Sequence, residues 1–182
     1  WLEEIATYPS LRELRMQRAP SLTSLGIREL ASLASLEELD LASSGVLNAW
    51  LDELGDFPAL RDLNITDSPS LTSAGIDSLT SLTTLRELNL TGCNVNDSGV
   101  DELSSFTSLV ELTLNENTAI TNAGISSLTT LTALERLHLN DMALTDPASL
   151  HLQNLTSLQL LTLAGTPVSD VTLNRLEDLP DL

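Results

Sequence analysis

Seven positions recur at intervals of 24 or 25 residues and hold the charged groups best placed to do chemistry: Glu13, Glu38, Asp62, Glu87, Glu111, Arg136 and, in the last place, Leu160. Carboxylates repeated this regularly form a cation-seeking row if the chain stacks them. At a spacing of about 5 Å each neighbouring pair repels by under about 1 kcal/mol in water, which a fold can tolerate. Arg12, Arg61 and Arg86 stand directly beside Glu13, Asp62 and Glu87 in the sequence and are expected to offset them. Two residues further along runs a second row, Arg15, Asp40, Asn64, Asn89, Thr113, His138 and Thr162. A third follows with Gln17, Thr66, Thr91, Asn115 and Asn140 among its members. Hydrogen-bonding side chains fixed on a rigid surface can meet a partner at little ordering cost. The candidate partner-binding residues are therefore Glu13, Arg15, Glu38, Asp40, Asp62, Asn64, Glu87, Asn89, Glu111, Thr113, Arg136 and His138.

Catalysis has little to work with. His138 lies near Glu111 and Arg136 in this scheme and His151 lies in a separate segment, with no G-x-S-x-G elbow to supply an activated serine. One imidazole and one carboxylate fall short of a metal ligand set. Cys93 falls in an interior loop column, where a small buried apolar role suits it better than a reactive thiol. Trp50 is expected to pack near the edge of the second unit. No catalytic residue, metal or cofactor is expected.

The rows require an element that repeats. The pattern L-x-x-L-x-L appears as "LRELRM", "LEELDL", "LRDLNI", "LRELNL", "LVELTL", "LERLHL" and "LQLLTL", opening at Leu11, Leu36, Leu60, Leu85, Leu109, Leu134 and Leu158. Its alternating end predicts a short strand with one face buried. The x-x-x-G-I/V-x-x-L-x-x-L/F half places apolar residues three apart, as a short helix on the same core requires. Thr23, Thr72, Asn96, Thr121, Thr145 and Ser169 open that half, each with a side-chain oxygen able to cap a helix; Leu47 breaks the rule in the second unit. Asp97, Asp146 and Asp170 follow, where negative charge suits a helix N-terminus.

A period in the twenties with these motifs resembles the leucine-rich repeat over nearly the whole chain. The resemblance implies an α/β fold, a right-handed solenoid of about seven units with a parallel sheet on the concave face and short helices on the convex face. The column Ala19, Ser44, Ser68, Cys93, Asn117, Met142, Thr166 stands where many such repeats carry an asparagine ladder. With the following T-x-x-G-I-x-x-L it is most similar to the cysteine-containing type of F-box substrate receptors and to related bacterial repeats. Residues 1–182 read as one repeat domain. Ile5 and Tyr8 fall in the convex columns of an earlier unit and Leu182 opens another, so an interior piece of a longer protein is expected.

The net charge of −18 must be located before it is interpreted. Eight acids against five arginines in the four outward-facing columns leave that face near −3, so most of the charge solvates the outer surface. Without a basic stripe, nucleic acid and anionic membranes are disfavoured. A single cysteine excludes internal disulfides and leans toward a reducing, cytoplasmic compartment. Families with such repeats mostly bind proteins, so the expected function is recognition of a polypeptide on the concave face, a basic segment being one option. The alternatives are a structural docking wall, or a regulatory attachment to an enzyme such as a ubiquitin ligase or GTPase activator.

Overall fold

The computed structural model describes residues 2–55 and 57–182. Seven three-residue strands form one parallel sheet in sequence order: β1 (Glu13–Arg15), β2 (Glu38–Asp40), β3 (Asp62–Asn64), β4 (Glu87–Asn89), β5 (Glu111–Thr113), β6 (Arg136–His138) and β7 (Leu160–Thr162). Parallel neighbours need a crossover connection. The second half of each unit supplies it, as α2 (Ser24–Leu30), α3 (Asn48–Leu54), α4 (Ser73–Ser78), α5 (Asp97–Leu103), a 3-10 helix at Gly124–Thr130, α6 (Ser149–Leu152) after a 3-10 turn at Asp146–Ala148, and α7 (Asp170–Leu176). A short helix, α1 (Leu2–Ile5), precedes the first strand.

Register follows the leucines. Leu14, Leu39, Leu63, Leu88, Leu112, Leu137 and Leu161 are successive Cα partners across the sheet. The five inner members are buried, while Leu14 and Leu161, at the two ends, are only partly so. The convex columns pack against this row: Leu30, Leu54, Leu79, Leu103 and Leu128 are fully buried, and Phe57 and Phe106 take leucine positions without opening the core. Full burial of one such side chain is worth about 1.5–3 kcal/mol, so the stack of columns drives folding. Tyr8 departs from expectation. It is 63% exposed, although its N–H bonds the Ile5 carbonyl (3.0 Å) in the same turn that buries Phe57 ahead of Pro58; Tyr8 stands at the first end of the stack with no unit before it to pack on, and only Ile5 of that pair packs on the core.

The loop after each strand turns through a left-handed residue in every unit: Arg18, Ser43, Asp67, Gly92, Glu116, Asp141 and Gly165, with φ from +53° to +70°. Beneath it lies the polar column of the asparagine-ladder position. The Ser44 hydroxyl donates to the Met16 carbonyl (2.9 Å), the Cys93 thiol to that of Ile65 (3.2 Å), and the Thr166 hydroxyl to that of Leu139 (2.7 Å). Each bond reaches the preceding unit and satisfies a buried backbone group. Burial pushes the Cys93 thiol up to about 12, which keeps it protonated and able to donate.

Capping follows the predicted pattern only in part. Thr23, Asn96 and Ser169 accept a backbone N–H of their own helix (3.3, 3.1 and 3.2 Å). Thr72 and Thr145 do not, and Thr121 lies ahead of a 3-10 helix rather than an α-helix. The Thr121 hydroxyl still accepts the Ala123 N–H at 3.2 Å, and all three are held by the preceding unit. Asn48 receives the Thr72 N–H (3.1 Å) and donates to its hydroxyl (2.7 Å), and Asn122 does the same for Thr145 (3.0 and 2.7 Å). Asp97 takes the N–H and hydroxyl of Thr121, both at 2.7 Å, and Asp146 takes those of Ser169 at 2.8 and 2.6 Å. The Ser169 hydroxyl is the leading reason that the Asp146 carboxyl lies below its ordinary range. The residue that follows the cap position of one unit is thus a strut for the next.

Candidate functional site

The outward rows of the sheet form a groove running across strands β1 to β5, lined by Arg15, Glu38, Asp40, Asp62, Asn64, Glu87, Asn89, Glu111 and Thr113. Strand pairing sets the order: Glu13, Glu38, Asp62, Glu87, Glu111 and Arg136 are consecutive partners, as are Arg15, Asp40, Asn64, Asn89, Thr113 and His138. The arginines are arranged differently from expectation. Arg12 bonds Glu37 at 2.5 Å rather than Glu13, Arg86 donates to the Ser108 carbonyl at 3.1 Å, and Arg61 pairs with neither Asp62 nor any other carboxylate among the described residues. The reason is the backbone. Each second residue sits just ahead of its strand, where its carbonyl accepts two amides of the next unit, as Arg12 does from Glu37 and Glu38. Its side chain leaves the carboxylate row.

Two other arginines bracket the groove. Arg15 contacts Glu13 at 2.8 Å and Glu38 at 2.7 Å. Arg136 contacts Glu111 at 2.5 Å, with Glu87 at 3.6 Å and Glu135 at 3.7 Å. His138 is tied down beside it, Nδ1 at 3.1 Å from the Thr162 hydroxyl and Nε2 at 3.5 Å from Glu111. Asp62, between the brackets, has neither a cation nor a hydrogen-bond donor among the described residues. Its partial burial, reinforced by Glu87, Glu38, Asp40 and Glu111, pushes its carboxyl up to about 6.

The next row reads as donors. The Asn64 and Asn89 oxygens each accept the backbone N–H and hydroxyl of the threonine two residues on, at 2.7–3.1 Å. This fixes both amides and leaves their NH₂ groups without a partner among the described residues. The Thr113 hydroxyl also has none among the described residues and opens to solvent in the groove. Asp40 is the exception, a satisfied acceptor for the Ala42 N–H (2.9 Å) and Gln17 (2.5 Å). Asn115 and Asn140, expected as hydrogen-bonding side chains of the face, use their oxygens to accept the backbone N–H of Asn140 and Ala164 (2.7 and 2.8 Å). No group of three or more His, Cys, Asp or Glu able to hold a metal occurs among the described residues, and no helix there is long and apolar enough to cross a membrane.

Asp62 sets a pH dependence. A carboxyl whose folded value is raised from 3.8 to about 6 favours the fold below about pH 4, and that contribution is lost as pH rises through about 6. Asp62→Asn is therefore expected to be more stable than the parent at pH 7.5, by about 1–2 kcal/mol once solvent screening is allowed for. For a chain of this size that is about 2–8 °C in melting temperature. Melting curves of both proteins should converge as the pH falls to 4.

Comparison with known proteins agrees with this architecture. A family profile described as "Leucine Rich repeat" matches residues 81–104. No curated protein matches the chain. Among solved structures, internalin C2 from Listeria monocytogenes is similar with a TM-score of 0.66 and 25% identity, over 88% of this chain and 72% of that one. A repeat protein of Leptospira interrogans is similar with a TM-score of 0.66 and 22% identity, over 98% of this chain and 49% of that one, so the chain spans about half its length.

Proposed function

We propose that this chain, which is a leucine-rich repeat protein, recognises a polypeptide partner on the sheet face and that the partner presents a basic residue to it. The observation that carries the reading is the groove. A rigid, in-register face leaves the Asn64 and Asn89 amides and the Thr113 hydroxyl open beside an unpaired carboxylate, while every leucine column points inward. Pre-organised donors lower the ordering cost of binding, and unsatisfied ones gain from an interface that excludes water. The helical face is the alternative platform, with Leu25 and Leu150 exposed on it. Trp50 is not part of such a platform, since it is 5% exposed and packs in the core.

The test uses random twelve-residue peptides displayed on phage and selected on the immobilised chain. Replacing Glu87 and Glu111 by Gln and His138 by Ala together should weaken binding of the selected peptides at least tenfold, while Asp101→Asn on the helical face should leave it within twofold. Equal binding by the triple variant would remove the sheet face from the account.

A further inference from the structure

Resting on that reading, we propose that the polypeptide partner also presents an acidic residue, whose carboxylate seats on Arg61 and Arg86 along the edge of the sheet. The column just ahead of the strands carries the inference. Its first six members are Arg12, Glu37, Arg61, Arg86, Val110 and Glu135. Both carboxylates among them are taken, Glu37 by Arg12 at 2.5 Å and Glu135 by Arg136 at 3.7 Å. Arg61 and Arg86 stand side by side with no counter-ion among the described residues. The Arg61 carbonyl accepts the Arg86 N–H at 2.7 Å, which fixes them as neighbours at about the 4.8 Å spacing of adjacent strands. Both residues are exposed. Among the described residues the Arg61 side chain makes no bond, and that of Arg86 makes one, from Nη1 to the Ser108 carbonyl at 3.1 Å. Like charges on neighbouring strands oppose the fold, and a local rule broken without compensation is expected where a surface binds.

The ground beside the pair is free of negative charge. Arg86 reaches a hollow between the third and fourth units, because the Ser108 whose carbonyl it bonds lines that hollow together with Thr80, Thr83, Ser105, Phe106 and Thr107. No Asp or Glu lines it, although the chain carries 26. The Thr83 and Thr107 hydroxyls, in successive units, have no partner among the described residues and can bond the peptide groups that flank a carboxylate. One guanidinium fork meets both oxygens of a carboxylate, and two forks side by side can share the same anion. At physiological salt charges are screened over about 8 Å, so contact with the pair outweighs the chain's distant acids. A basic residue in that place would meet two unneutralised arginines, which adds selectivity. The partner is then read by sign on two tracks, positive toward the groove and negative toward its edge.

The experiment takes the enriched phage-selected peptides as probes, made synthetically and titrated by calorimetry against the full chain. The enriched sequences should carry an Asp or Glu. Replacing it by Asn or Gln should weaken binding about fivefold or more, and so should Arg61→Gln with Arg86→Gln in the protein. The two changes together should cost little more than either alone. Arg61→Lys with Arg86→Lys should recover only part of the loss, because lysine keeps the charge without the fork. Arg12→Gln, in the same column but paired with Glu37, should leave binding within twofold. The glutamine variant should melt within about 2 °C of the parent, since the fold asks one exposed bond of the pair. Enrichment of peptides without an acid, binding indifferent to the Arg61 and Arg86 variant, or an equal loss with Arg12→Gln overturns the proposal. If that binding is still lost with the Glu87, Glu111 and His138 variant, the sheet-face reading survives alone. Binding indifferent to both variants, or no enrichment, removes both.

Discussion

Asn117→Ala is expected to destabilise the protein by about 3–5 kcal/mol, far more than a polar-to-alanine change at the surface. Asn117 is fully buried. Its amide donates to the carbonyls of Leu90 and Leu114, both at 2.9 Å, and its oxygen accepts the Val95 N–H at 2.8 Å. Alanine leaves a buried donor and two acceptors, and each orphan costs about 1–3 kcal/mol. Two of these bonds cross from the fifth unit to the fourth, so the loss falls on an interface that neighbouring units depend on. Asn117→Ser should cost only about 1–2 kcal/mol, because the Ser68 hydroxyl serves the same column by accepting the Val46 N–H at 3.2 Å. Urea unfolding of the three proteins checks the order. An alanine variant within about 1 kcal/mol of the parent would show that the column is not what ties these units together.

Gly124→Ala should destabilise as well, against the usual preference for alanine over glycine in a helix. A methyl group at Gly124 would sit 2.3 Å from a carboxylate oxygen of Asp97 and 3.2 Å from its Cα. Relief requires Asp97 to swing away and give up its two bonds to Thr121, a loss of about 2–3 kcal/mol. Asp97→Ala alone should cost a similar amount. The double variant should cost little more than Asp97→Ala, since the space is then open. Additive losses, read as urea midpoints, would mean that the glycine serves the backbone and not the strut.

Gly75 and Gly124 are thus explained by a strut residue of the preceding unit, Asn48 and Asp97. Their recurrence was visible in the sequence, but its cause was not, because nothing local links Asp97 to Thr121 or Asn48 to Thr72. The spacing of 24 residues between each such pair was the available signal. The sheet was legible because alternation in L-x-x-L-x-L depends only on which side chains face the core. The helical half was less so. Unit five has Ser126, Ser127, Thr129 and Thr130, weak helix formers whose hydroxyls compete for backbone, and the segment tightens to a 3-10 helix. The left-handed turn was hidden, since Arg18, Ser43, Asp67, Glu116 and Asp141 occupy it without glycine and only Gly92 and Gly165 advertise it. At the groove, periodicity placed every candidate in its row. It could not show that Arg12, Arg61 and Arg86 turn aside, and that turn is what leaves Asp62 alone. Nor could it separate Asp40, whose oxygens are spent on the fold, from Thr113, whose hydroxyl is not.

The sheet face as the contact surface is tested most directly by site-specific photocross-linking to a bound peptide, with the reactive residue placed at Asn89 in the groove or at Asp101 on α5. Attachment from Asn89 and none from Asp101 is the result expected. Attachment from Asp101 with none from Asn89 would place the partner on the helices and contradict the account.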